Sequence, residues 1–267
     1  MIVLKTTEEI ELLRASNDLV GRTLGELAKI IQPGVTTKEL DVIAEEFICD
    51  NGGIPTFKGY PNASSQGTAF PASICTSVNE VVIHGIPNDK PLQEGDIVSI
   101  DCGTSLNGYC GDSAYTFCVG EVEELTVELL RTTKRALYEA INIAMPGKRI
   151  GDIGYAVQTI CEEKGYNVVR EFVGHGIGKE MHEEPNVPNY GRRGTGMLMK
   201  NGLCIAIEPM IVAGKRDLYM ANDGWTVSTL DRKPAAHYEH TIAIMKNGAE
   251  VLSTFRYIEE VLGERAI

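Results

Sequence analysis

Five histidines, His84, His175, His182, His237 and His240, fall in a few short segments of the 267-residue chain, with acidic residues beside them at the ends of apolar runs. Val98-Ser99-Ile100 leads into Asp101, and Leu203-Cys204-Ile205-Ala206-Ile207 leads into Glu208. A carboxylate ending such a strand is partly buried, and leaving it there unpaired costs several kcal/mol. A cation is its natural partner.

The dipeptide Asn107-Gly108 brings a second acid, Asp112, beside the first. Asn-Gly is the strongest short hairpin signal. With Leu106 opposite Tyr109, Asp101 faces Ala114 and Asp112 faces Gly103, so the aspartates are diagonal neighbours on one face. Diagonal positions lie about 7–8 Å apart at the backbone, close enough for side chains to converge. Converging carboxylates repel unless metal sits between them, and two divalent ions about 3.5–4 Å apart fit that gap. Taken alone, the hairpin also suits two solvated surface acids.

Residues 172–185 carry His175 and His182 in a stretch too rich in glycine for a helix, and glycine permits close backbone approach. Seven residues is an odd offset, so on one regular strand the two rings would point to opposite faces, which predicts different roles. In Ala236-His237-Tyr238-Glu239-His240-Thr241, His237 and Glu239 share one strand face and His240 takes the other. A single strand histidine is more often core or surface than ligand, but five beside four strand acids reverse that expectation. One imidazole with four carboxylates is a hard, oxygen-rich set, favouring Mn, Fe or Co over a closed thiolate zinc site. Cys102, Cys110 and Cys118, eight residues apart, read as small apolar filler.

Helix pairs must position these strands. Leu24-x2-Leu27-x2-Ile30-x2-Pro33-Gly34 lies over Leu137-x2-Ala140-x2-Ile143-x2-Pro146-Gly147 at an offset of 113 residues. At that offset Leu40, Phe47 and Gly52 fall on Ile153, Ile160 and Gly165. Each copy is an apolar helical pattern stopped by Pro-Gly, then a second helix running to a glycine turn. Strand-like segments follow at 97–100 and 115–119, then at 203–207 and 241–245. The pattern predicts an α+β fold, with helices on one side of mainly antiparallel sheet. It predicts a single domain, 1–267, of two related halves (about 8–122 and 123–252) meeting at a pseudo-twofold cleft suited to a site. Pro-Gly after a helix is common, and coincidence stands as the alternative for the repeat taken alone.

Composition narrows the function classes. Lys plus Arg number 25 against 37 Asp plus Glu, a formal charge of −12, which argues against a protein built to grip nucleic acid phosphates. No apolar run approaches the ~18–20 residues of a membrane span. The segment 1–9 lacks the basic start and long apolar stretch of a signal peptide. Seven cysteines with no CxxC pair indicate neither a disulfide framework nor a zinc ribbon. The expected location is the cytoplasm.

The order Ser77-Val78-Asn79-Glu80-Val81-Val82-Ile83-His84-Gly85-Ile86-Pro87, Asp101, Asp112, Gly174-His175-Gly176-Ile177-Gly178, His182-Glu183-Glu184-Pro185, Ile207-Glu208-Pro209-Met210, Asp223-Gly224-Trp225-Thr226-Val227 and Tyr238-Glu239-His240-Thr241 resembles the type I methionine aminopeptidases in their short bacterial form. The resemblance spans essentially the whole chain. It implies the pita-bread fold and removal of the initiator methionine from nascent proteins whose second residue is small. By position, it implies Asp101, Asp112, His175, Glu208 and Glu239 as ligands of two divalent ions (Co, Mn, Fe or Zn), with Asp112 and Glu239 bridging. Glu208 would shuttle protons, and His84 and His182 would be catalytic histidines in contact with substrate. Tyr60, Phe70, Cys75, Met181 and Trp225 would line the methionine side-chain pocket. The implied partners are N-terminal methionyl peptides and nascent chains near the ribosome, with no membrane and no sequence-specific nucleic acid, and the enzyme would be a monomer.

Two departures from the family pattern stand out. Residues 61–69, between Gly59-Tyr60 and Phe70-Pro71, form a longer loop than in many relatives, beside the expected pocket. His237 stands where a glutamine or similar residue is expected, placed on the Glu239 face to support a ligand. Two rivals remain at this level. A proline-directed aminopeptidase or dipeptidase of the same fold usually carries a substantial N-terminal domain, for which 267 residues leave no room. A non-catalytic peptide-binding relative typically loses metal ligands, and here all five are present.

Overall fold

Two Thr-x-x-Glu boxes start the first two helices of the computed structural model, which describes residues 2–62, 64 and 67–267. Met1 and, within the 61–69 loop, Ala63, Ser65 and Gln66 lie outside the described residues. Thr6 and Glu9 cap helix α1 (Thr7–Ala28) reciprocally, and Thr36 and Glu39 do the same for α2 (Thr37–Asp50), satisfying backbone N–H groups that a helix start leaves open. Short strands β1 (Ile54–Pro55), β2 (Ile74–Val78) and β3 (Val81–Ile83) follow, then the long hairpin of β4 (Ile97–Leu106) and β5 (Tyr109–Cys118). The second helix pair is α3 (Glu124–Ile143) and α4 (Ile150–Glu163). Helices α2 and α4 begin and end 113 residues apart, the offset of the repeat in the sequence. Gly34 and Gly147, the turn glycines of the two copies, both have positive φ.

The rest of the chain is mostly strand: β6 (Asn167–Val168), β7 (Gly174–Gly176), β8 (Glu183–Val187), β9 (Cys204–Ile207), β10 (Met210–Val212), β11 (Leu218–Met220), β12 (Val227–Thr229), β13 (Ala235–His237), β14 (His240–Met245) and β15 (Gly248–Val251), closed by α5 (Arg256–Leu262) and a 3₁₀ turn. Among the described residues, β1, β4, β2 and β5 form one sheet, and β15, β14, β9, β7 and β8 form another. Two three-stranded sheets, β13-β10-β6 and β11-β12-β3, complete the set, and all these pairings are antiparallel. The fold is the α+β pattern the helix pairs predict.

The main core joins both helix pairs to the strands through Leu24, Leu40, Ile100, Leu137, Ile153, Ile207 and Ile242, each fully buried. Helix α1 lies tightly on the hairpin. A Cβ at Gly111 would meet the Ser16 and Asn17 backbone at 2.6 Å, so only glycine allows this approach. Among the described residues no helix is long and apolar enough to cross a membrane.

Candidate metal centre and substrate pocket

The β4–β5 hairpin has the register read from its turn: Leu106 opposite Tyr109, Asp101 opposite Ala114, Gly103 opposite Asp112. Asp101 and Asp112 are therefore diagonal neighbours on one face, and both are buried. Asn17 of α1 accepts a hydrogen bond from the Asp112 backbone N–H (3.2 Å), fixing that end.

A second acid pair arises at a shared break in two strands. β9 stops at Ile207 and β10 resumes at Met210, while β13 stops at His237 and β14 resumes at His240. Ile207 pairs with His240 and Met210 with His237, so the register runs on through the gap and sets Glu208 opposite Glu239. Pro209 has no N–H to give a ladder. Strand β5 is stitched to this break: Ser113 Oγ donates to the Glu239 carbonyl (2.7 Å) and Thr241 Oγ1 to the Asp112 carbonyl (2.8 Å). The two acid pairs are thereby held against each other.

His175 completes the group. Its Nδ1 lies 3.0 Å from the Gly176 carbonyl, so Nδ1 carries the proton and the Nε2 lone pair is free. Nε2 lies 3.6 Å from both Asp112 Oδ2 and Glu208 Oε1. Ligand atoms of Asp112, His175 and Glu239 fall within 4.8 Å of one another. Burial pushes the Asp101 carboxyl up to about 7 and those of Asp112, Glu208 and Glu239 well above the ordinary range, the neighbouring carboxylates adding to it in the last three. Burial holds the His175 imidazole down at about 3, hence neutral. Asp101 Oδ1, Asp112 Oδ1 and Glu239 Oε1 are buried with no hydrogen-bond partner, which native structures rarely tolerate. Four carboxylates and a neutral imidazole, with oxygens left unsatisfied, fit divalent cations.

These acids face a cavity of about 310 Å³, lined also by Phe57, Tyr60, Phe70, Cys75, Ile83, His84, His182 and Trp225. The His182 ring lies 4.3 Å from that of His175, and Tyr60 OH is 2.7 Å from His182 Nδ1. His84, at the left-handed φ of 57°, is edge-on to Phe172 and Trp225. Such backbone strain in a non-glycine residue gathers at functional sites. The Trp225 indole donates to the Thr68 carbonyl (2.9 Å) and Asn62 Nδ2 to the Gly224 carbonyl (3.0 Å), tying the 61–69 loop to the cavity rim.

Of the residues expected in the pocket, Met181 is buried in one apolar cluster with Phe57, Phe70 and Cys75, its methyl packed over Gly103. His237 Nε2 lies 3.7 Å from Glu208 Oε2. Phe57 and Ile83 line the cavity without having been singled out. Phe57 stands three residues before Tyr60 and Ile83 directly before His84, so each adjoined a residue already marked.

The model of metallopeptidase family M24 matches residues 11–246. A methionine aminopeptidase of Clostridium acetobutylicum is 50% identical over 95% of this chain and 99% of its own. The crystal structure of the Rickettsia prowazekii methionine aminopeptidase superposes with a TM-score of 0.91 at 42% identity, covering 95% of this chain and all of that one. The Pyrococcus horikoshii prolidase shares the fold alone, with a TM-score of 0.73 at 23% identity over 95% of this chain and 64% of that one. The chain belongs to metallopeptidase family M24 and, within it, to the type I methionine aminopeptidases.

Proposed function

We propose that this protein removes the initiator methionine from polypeptides whose second residue is small, using two divalent ions held by Asp101, Asp112, His175, Glu208 and Glu239. The observation that carries the reading is the convergence of four buried acids and a neutral imidazole on the floor of an aromatic cavity. Bound there, divalent ions would lower the pKa of a water and polarise a carbonyl. Asp112 and Glu239, close together in the cluster, suit the bridging positions. On this reading the first half (8–122) supplies two ligands and the second (123–252) three, with the cleft between them.

Glu208 is the group to take the proton from the attacking water and pass it to the departing nitrogen. His182, hydrogen-bonded to Tyr60, and His84, edge-on to Phe172 and Trp225, would hold the substrate carbonyl oxygen and the leaving amide as charge develops. Phe57, Tyr60, Phe70, Cys75 and Trp225, with Met181 in the same apolar cluster, would make a soft pocket for a thioether. The two imidazoles crowd the leaving side, which favours a small second residue. The same reading makes the enzyme a cytoplasmic monomer acting on nascent chains near the ribosome.

The test is methionine release from Met-Ala-Ser by stripped protein given Mn²⁺, Fe²⁺, Co²⁺ or Zn²⁺ separately. Release should depend on added ion, be poor from Met-Lys-Ser and Ala-Ala-Ser, and vanish when the amine is acetylated. Cleavage of the acetylated peptide would overturn the aminopeptidase reading, and equal rates on Met-Ala-Ser and Met-Lys-Ser the small-second-residue claim.

A further inference from the structure

His237 has no part in the chemistry above, yet its setting is that of a working group. It is 1% exposed, and its Nε2 has no hydrogen-bond partner. The register explains what it faces. Glu208 stands opposite Glu239, so His237, two residues back, is the diagonal neighbour of Glu208 on the same face. Its Nε2 lies 3.7 Å from Glu208 Oε2, while Glu208 Oε1 faces His175 Nε2 at 3.6 Å. The carboxylate is bracketed by two imidazoles, one to each oxygen.

Both partners are rigidly mounted. His237 N–H donates to Thr116 Oγ1 (3.0 Å), whose hydroxyl donates to the His237 carbonyl (2.8 Å). Asn189 Nδ2 donates to the Glu208 carbonyl (2.9 Å). A buried ring nitrogen left unpaired is costly, and the polar partner within reach is the outer oxygen of Glu208.

We propose that His237 is a positioning residue for Glu208: its Nε2–H engages Oε2 and so presents Oε1 to the cleft beside His175. The inference rests on the reading of Glu208 as ligand and proton acceptor. Without that donor the carboxylate rotates about its terminal bond, and both ion binding and proton transfer lose their geometry.

The test compares His237→Leu, which removes the donor, with His237→Gln, which keeps one. Mn²⁺ affinity of the stripped proteins is measured by calorimetry, kcat and KM on Met-Ala-Ser, and melting without metal. His237→Leu should bind Mn²⁺ about 10-fold more weakly and lose at least about 10-fold in kcat. KM should stay within threefold or so and metal-free melting close to wild type, and His237→Gln should recover most of both losses. In a Glu208→Gln background, His237→Leu should cost no further Mn²⁺ affinity. Equal behaviour of the Leu and Gln variants, or an undiminished further loss in the Glu208→Gln background, would overturn the proposal. If wild type releases no methionine, the functional reading falls, and the Mn²⁺ arm still decides this one.

Discussion

Replacing Asp112 by Asn should move the metal-free and metal-loaded proteins in opposite directions. Asp112 and Glu239 contribute to a cluster whose ligand atoms lie within 4.8 Å of one another. Two ionised carboxylates at that range repel by about 3 kcal/mol at an effective dielectric constant near 20. The metal-free fold escapes this by keeping protons: burial raises the carboxyl pKa values at Asp101, Asp112, Glu208 and Glu239, and neighbouring carboxylates add to it in the last three. A carboxyl whose pKa is raised on folding binds its proton more tightly in the folded chain. Its contribution is therefore full below the unfolded value and is lost as pH rises through the folded one. For Asp101 that window runs from 3.8 to about 7, and the other three carboxyls shift in the same direction. Stripped wild type should thus melt at falling temperature as pH climbs from about 4 to about 7. Asn at 112 takes one charge out of the contest, and its amide can donate to the remaining carboxylates. The stripped variant should gain up to about 3 kcal/mol near neutral pH, or about 6–12 °C in Tm. The gain should shrink toward about pH 5, where protonation has already removed the repulsion. Added Mn²⁺ should raise the wild-type Tm and leave Asp112→Asn nearly unmoved. Calorimetric scans with chelator and with Mn²⁺ read both effects. A stripped variant melting below wild type near neutral pH, with the full Mn²⁺ shift retained, would refute the reasoning.

The two adjacent imidazoles should separate cleanly. His182→Ala should keep its metal and lose roughly 10²-fold or more in kcat, while His175→Ala should lose metal first, as elemental analysis beside kinetics would show. For the loop tie, Asn62→Ala removes the bond to the Gly224 carbonyl and Trp225→Phe the bond to the Thr68 carbonyl. Each bond is worth about 1 kcal/mol, so KM should rise by up to about fivefold with metal content intact. Metal loss in either would mean that the loop supports the ions themselves.

What could be read ahead of the structure followed local rules. Asn107-Gly108 is a two-residue turn, and a turn that short dictates every pairing along the hairpin, so the Asp101–Asp112 diagonal was legible. The helix pairs were legible because Pro-Gly stops and apolar spacing are local too. The facing of Glu208 and Glu239 was not, since it depends on a pairing between segments 30 residues apart in sequence that no turn residue announces. His175 and His182 were expected to take different roles from their odd spacing. In the structure the two rings lie 4.3 Å apart.

The break at Glu208-Pro209 and Tyr238-Glu239 makes the two glutamates a single heritable unit. They oppose each other only while Ile207 stays opposite His240 and Met210 opposite His237. One residue gained or lost in either strand would swing a glutamate to the other side of the ladder. Changes of chain length are thus barred from 204–212 and 235–245, and descendants of this sequence can vary in length only where no pairing crosses. The β14–β15 turn at Lys246-Asn247 is one such place, and the loop joining Tyr60 to Phe70 is another.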